Sequence, residues 1–400
     1  MNRSRFSIQK KLDHLGPEEL RALALDYYSD ASIKDLKEKY SFSGITVDEL
    51  HLGLPLTEDP EHDCPYCEVS LFRNAEPRKK SIFSSQVFPF CSNCGHELSD
   101  QCQCQNCVKE QKRREELETE RKRSFLIQFI DVKKYKPVEV SILNLRQKVF
   151  LGTFLRGLLK GDFSTVKPIC GYSGKLFPTD ELMRIAYNDL SDARILEISP
   201  QSDLQEFTPN YEENNYSYKW RNVQHLVNLK GDGQTLDEII SEILNPGVWE
   251  EANTDEAVQL WKDISYHECL DLFTYRMEAY DFTYKVGKET KALFEDLIKH
   301  FPISQTYSLI WNAAKNAAAY YQEGKVPKQQ AANSVVQRMR GAADKVIAGQ
   351  WQRYEYNRPK ECPQSILSEY FFNSVLKVCD QNWWRIPSIV LKGDEEVGET

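Results

Sequence analysis

Seven of the chain's eleven cysteines lie between Cys64 and Cys107, and their spacing constrains that segment more tightly than any other feature of the 400 residues. Cys64-Pro-Tyr-Cys67 and Cys91-Ser-Asn-Cys94 are two Cys-x-x-Cys turns with twenty-three residues between them. A tight turn lets two thiolates converge on one ion, and two such turns complete a tetrahedron of four sulfurs. Gly95, immediately after the second turn, suits the positive φ that often follows it. Cys64, Cys67, Cys91 and Cys94 are therefore the expected ligands of one Zn2+. Cys102, Cys104 and Cys107 supply three further thiols, with His96 as the fourth donor and His62 as its rival. Three cysteines and one histidine also make an acceptable tetrahedron, so a second Zn2+ is possible on spacing. An interleaved pairing is possible too, with Cys104 and Cys107 joining one of the turns. In every arrangement protein atoms fill the coordination sphere. No position is left for a reactive water, so the metal is expected to be structural, and no catalytic residue is assigned.

At this point the segment resembles a zinc ribbon, a family of small β modules; the resemblance covers residues 64–107 only. It implies three kinds of role: nucleic-acid binding, subunit assembly or a plain folding staple. Between the turns Arg73, Arg78, Lys79 and Lys80 stand beside Phe72, Phe83, Phe88 and Phe90. Basic residues mixed with aromatics on such a loop can contact backbone phosphate and stack on bases, so these four are the candidate nucleic-acid-binding residues. The alternative is that the phenylalanines cover a very small core and the basic cluster is an exposed tip.

The flanking sequence predicts a mainly α chain with a small β ribbon and a mixed α/β middle section, in several domains. Residues 1–60 form a small helical unit, 61–108 the ribbon, 109–124 a charged helical spacer, 125–250 a mixed α/β domain and 251–400 a helical domain. In the first, Pro17 begins one helix, and Ser32 with Asp35 and Thr46 with Glu49 cap two more. The order resembles a helix-turn-helix, although its last helix offers Asp48, Glu49 and His51 where base reading favours Arg, Lys, Asn or Gln. In the middle section FLIQFIDV and ARILEIS read as strands. A helix bears Leu143, Phe150, Phe154 and Leu158, and Thr235 with Glu238 caps another. Three apolar stripes at helical spacing follow, through Tyr307, Val335 and Leu367.

Charge and composition narrow the function classes. The formal net charge is −9, and residues 191–300 hold most of the acidity, with 22 Asp+Glu against 10 Lys+Arg. Residues 126–190 are the reverse, with 10 basic against 6 acidic. The distribution excludes a uniformly nucleic-acid-coating protein but allows DNA or RNA on one face, or a basic protein partner on the acidic section. No apolar run is long enough to cross a membrane, and the N-terminus lacks the apolar core of a secretory signal. The four scattered cysteines suit reduced core thiols, so a cytoplasmic location is expected. Cys170 to Lys175 mimics a phosphate loop only superficially, because Leu176 occupies the magnesium-binding position. Arg221, His225, Asp232, Glu197, His267 and Cys269 have no spacing that ties them into a hydrolase or nuclease site. The reading is thus a zinc-binding cytoplasmic protein that contacts nucleic acid, as a regulator or a subunit of a mobile-element or defence-type complex. A protein–protein adaptor and an enzyme with its site in 125–250 are the alternatives.

Overall fold

The computed structural model describes residues 3–29, 31–78, 88–247, 254–324, 326–379 and 381–387. The chain forms two compact units, Met1–Arg123 and Ser124–Thr400. The architecture is mainly helical with small sheets, as the sequence predicts.

The first unit opens with α1 (Arg3–Leu12), α2 (Pro17–Tyr28), α3 (Ile33–Lys39) and the single turn α4 (Val47–Leu50). The expected caps form. The Ser32 hydroxyl accepts from the Asp35 N–H at 3.2 Å, and Glu49 accepts from both the N–H and the hydroxyl of Thr46. Sequence patterning had not marked α1, whose Ile8 and Leu12, one turn apart, join Leu23, Tyr27, Leu36, Ile45 and Leu50 in the core. Beyond α4 a short turn buries His51, so the last helix of the helix-turn-helix-like order presents neither His51 nor the capping Glu49 freely.

β1 (Thr57–Asp63) and β2 (Ser70–Arg73) then pair antiparallel, Thr57 opposite Arg73 and Asp59 opposite Leu71. Phe72 bridges to Phe90, and Phe90 to Glu97, which adds two further short pairings. Leu71 is fully buried between Cys64 and Cys91, and these three residues are the centre of a very small core. Apolar burial on that scale cannot order a segment alone, because fixing each residue costs about 1–2 kcal/mol of backbone entropy.

The polar helix α5 (Gln105–Ile127) follows, with Glu110 accepting from Arg113 and Arg114 and Lys112 beside Glu116 at 3.8 Å. These are the expected i,i+3 and i,i+4 pairs. The strand expected at FLIQFIDV is not there. The segment begins as the last turn of α5 and bends at Gln128, with Leu126 and Ile130 buried against Ile198, Phe207 and Val223. Phe125 and Phe129 meet four residues apart, their ring centroids 5.2 Å from each other. A short apolar run fits either a strand or a buried helix end, and tertiary packing decided for the helix.

In the second unit β3 (Val138–Glu139) precedes α6 (Leu145–Leu158), where the Asn144 side chain accepts from the Gln147 N–H at 2.8 Å. β4 (Thr165–Val166), α7 (Asp180–Asp192), β5 (Leu196–Ile198), and the hairpin β6 (Phe207–Asn210) with β7 (Asn215–Tyr218) come next. β8 (His225–Val227) lies between β4 and β5 as an antiparallel centre strand, and β9 (Leu229–Lys230) runs parallel to β3. α8 (Leu236–Leu244) carries the expected Thr235–Glu238 capping box. The 26-residue α9 (Thr254–Ala279) threads two cores. Its first half buries Leu260, Trp261 and Ile264 with α6, α7 and α8. Its second half buries Leu272, Phe273 and Met277 with α10 (Lys288–His300), α11 (Ile303–Gln322) and α12 (Lys328–Ile347). Small residues, among them Ala314, Ala317, Ala331 and Ala332, let α11 and α12 pack closely. The third stripe becomes α13 (Ile366–Glu369), which widens into a π turn over Tyr370–Val375 and returns Leu367, Tyr370 and Phe371 to the first of these cores. Among the described residues no helix is long and apolar enough to cross a membrane.

Candidate metal centre

Two backbone turns of the same construction place the first four cysteines. Cys64 donates its N–H to Val69 and accepts from Glu68, while Cys91 donates to His96 and accepts from Gly95, all at 2.7–2.9 Å. Both turns leave the residue after the second cysteine in the left-handed region, Glu68 at φ 55° and Gly95 at φ 71°. Phe72 and Phe90 exchange a reciprocal pair of 2.8 Å backbone hydrogen bonds, and that pairing draws the two turns together. The sulfurs of Cys64, Cys67, Cys91 and Cys94 consequently all lie within 4.8 Å of one another, with Cys64 Sγ 3.6 Å from Cys94 Sγ. A tetrahedron with metal–sulfur bonds of about 2.3 Å has sulfurs about 3.7 Å apart, so the set fits a four-coordinate ion.

Cys102, Cys104 and Cys107 gather with His96 into a second set of the same compactness. His96 Nδ1 is 3.2 Å from Cys107 Sγ and 3.9 Å from Cys104 Sγ. The Glu97 N–H donates to Cys102 Sγ and the Cys107 N–H to Cys104 Sγ, the amide donors that thiolates need when taken out of water. The sets are therefore consecutive along the chain rather than interleaved. His62 belongs to neither and instead lies 3.3 Å from Asp59.

The electrostatics favour a cation. Burial and the neighbouring thiols push Cys94 up to about 12 and Cys107 up to about 11. At Cys91 burial is outweighed by the backbone donors of Cys94 and Asn93, which bring it down to about 7. Four thiolates this close repel one another, and a divalent ion relieves that repulsion while deprotonating all four.

Two further residues around the arrangement were invisible in the sequence. Tyr66, inside the first turn, crosses to the second set, with its hydroxyl 3.5 Å from Cys107 Sγ and its ring edge-on to His96 at 5.2 Å. Asp59, 1 % exposed, accepts from both Nε and Nη2 of Arg73 at 3.1 Å. Burial alone would raise its carboxyl, but the Glu61 N–H and Arg73 hold it below the ordinary range. Asp59, Glu61 and His62 also lie together, but with Arg73 already balancing Asp59 they lack the charge surplus of the thiol sets.

Arg78, like Arg73, is engaged within the unit. Its Nη1 donates to the Ala31 carbonyl at 2.8 Å, its own N–H donates to the Tyr27 hydroxyl, and the guanidinium lies 4.5 Å from the Tyr27 ring centroid. Lys79 and Lys80, together with Phe83, lie outside the described residues.

In the second unit the other polar candidates have separate partners. Arg221 meets Asp180, His225 meets Tyr187, Glu197 meets Arg194, and His267 meets Thr179. Lys175, from the loop that mimics a phosphate site, pairs with Asp271, to which the Cys362 thiol also donates. Of the scattered cysteines Cys269 and Cys362 are buried as expected, whereas Cys170 and Cys379 are exposed, because both lie in connections and not on packed faces. No family model, curated protein or solved structure matches the chain, and the two ligand sets are what bears on its function.

Proposed function

We propose that the chain is a cytoplasmic zinc-stapled binding protein, an adaptor or assembly subunit, with one Zn2+ in each ligand set. The zinc-ribbon resemblance, the paired turns and the ribbon's very small apolar core support this reading. The observation that carries it is the completeness of both sets: each offers four protein donors and keeps no position for a substrate or a water. A metal so enclosed orders the chain and does no chemistry. The acidic section, residues 191–300, is the surface offered to a basic protein partner. Contact with nucleic acid, as a regulator or in a mobile-element or defence-type complex, would rest first on Lys79 and Lys80, because Arg73, though half exposed, is paired with Asp59 and Arg78 is bonded to the Ala31 carbonyl.

Metal analysis of protein purified without chelator should give two zinc per chain, falling to one in Cys104→Ser/Cys107→Ser. A content near zero would sink the proposal. Nucleic-acid binding is then measured against salt. The adaptor reading expects no binding that depends on Lys79 and Lys80, whereas a steep loss of affinity with salt that disappears in Lys79→Ala/Lys80→Ala would establish the nucleic-acid reading in its place.

A further inference from the structure

The second unit contains a cavity of about 430 Å³ between α11, the end of α12 and the segment 349–354, within the size range of small-ligand pockets. Its floor is apolar, formed by the buried Phe301, Leu309 and Val346. Its polar lining is unusual in kind, with carboxamides at Gln305, Asn312, Asn316, Gln350 and Gln352. Gln305, Asn312 and Asn316 recur at i, i+7 and i+11, so they share the face of α11 that meets the cavity. No lining residue is acidic, and the lining's one formal charge is Arg353. Trp351 and Tyr354, 52 % and 58 % exposed, stand at the edge.

The wall is fixed at both ends. Gly349, at φ 70°, closes α12, and the N–H groups of Gln350 and Trp351 both donate to the Lys345 carbonyl, at 2.9 and 3.2 Å. At the far end the Tyr356 N–H donates to the Ser304 carbonyl, and Gln305 Nε2 donates to Glu355 at 2.9 Å. A carboxylate only accepts, so this bond also fixes which way the Gln305 amide points. Its Oε1 is left buried with no partner among the described residues. That atom is closed off from solvent, so an occupant of the cavity would meet the carboxamides of Asn316, Gln350 and Gln352 instead of this acceptor.

Carboxamides offer a donor and an acceptor together, the pattern that reads the edge of a heteroaromatic base. Exposed tryptophan and tyrosine supply stacking surfaces, and Arg353 with Lys345, whose Nζ lies 4.4 Å from the Trp351 ring centroid, places positive charge beside them. Lipid or acyl ligands would waste the amides, and a cationic ligand would meet Arg353. We infer that this cavity is a nucleobase-binding site, filled by the base of a nucleotide. The inference goes beyond the zinc reading and does not depend on it, since both the site and the residues substituted to test it lie in the second unit.

The test is equilibrium binding of the full chain to AMP, GMP, CMP and UMP, and to five-nucleotide single strands of RNA and DNA. At least one probe should bind saturably, one per chain. Trp351→Ala and Asn316→Ala, both at exposed positions, should weaken it at least about fivefold while leaving thermal unfolding unchanged. Binding to a mononucleotide identifies a free nucleotide as the source of the base, and binding confined to the oligonucleotides identifies a single strand. No saturable binding of any probe, or binding unaltered in both variants, would overturn the assignment.

Discussion

Glu68 and Gly95 occupy equivalent positions, each one residue past its cysteine pair and each with a positive φ. For Gly95 that conformation is free of Cβ strain, whereas an L residue in it bears about 1–2 kcal/mol. Gly95→Ala should therefore destabilise the zinc-loaded first unit by about 1 kcal/mol and release zinc to a competing chelator at lower chelator concentration. Glu68→Gly should do the opposite by less, because glycine's extra freedom in the unfolded chain offsets part of the gain. Equal zinc affinity in Gly95→Ala and the parent would contradict this account. The convergence of Cys64, Cys67, Cys91 and Cys94, the positive φ of Gly95 and the caps at Ser32, Thr46 and Thr235 were legible because their causes are local, whereas spacing left the grouping of Cys102, Cys104 and Cys107 open. Asp59, Tyr66 and the pairing of Arg73 and Arg78 with groups of their own unit were not legible. Arg73 meets a carboxylate 14 residues back, and Arg78 a carbonyl 47 residues back. Nothing in a short window distinguishes such an arginine from one reaching into solvent.

Elements show the same division between local and distant causes. The charged helix α5 and the stripes of α11 and α12 follow from period and composition. β1, with the sequence TEDPEHD, has poor strand propensity and is ordered by its pairing to β2 and by the cysteine turn that joins them. Another distant cause acts at Gly152, in the middle of α6, where a Cβ would overlap the ring of Tyr370. That ring cannot retreat. Its hydroxyl donates to the Ile243 carbonyl, Arg156 lies 4.5 Å from its centroid, and it is 2 % exposed. Gly152→Ala should accordingly cost about 1–3 kcal/mol of overpacking in denaturant unfolding, even though alanine is the better helix former. A neutral result would mean that the π turn can shift and that the close approach of α6 to it is not required. The sequence marks Gly152 only as an unfavourable residue inside a helix; its reason lies more than two hundred residues away on the chain.

At the scale of the whole molecule, the two units should respond to different chemical challenges, and the sequence provides a way to watch one of them alone. All seven tryptophans, Trp220 to Trp384, belong to the second unit, and all seven clustered cysteines to the first. Chelation should expose the clustered thiols to a thiol reagent yet leave the tryptophan-monitored unfolding midpoint at neutral pH in place. Acid should act on the second unit through His225 and His267, which burial holds neutral, each with its pKa lowered from 6.5 to about 4. Between those values the unfolded chain binds protons that the folded chain refuses. The stabilisation is thus fully present above pH 6.5 and lost progressively as the pH falls from 6.5 to 4, by up to about 3 kcal/mol per histidine. The tryptophan-monitored midpoint should fall steeply over that window, and His267→Gln, which keeps a neutral polar partner for Thr179, should remove roughly half of the slope. An unchanged slope in His267→Gln would place the acid sensitivity elsewhere. A midpoint that moved with chelator at neutral pH would show that a metal held by the two thiol sets stabilises the second unit as well, beyond the segment that carries those sets.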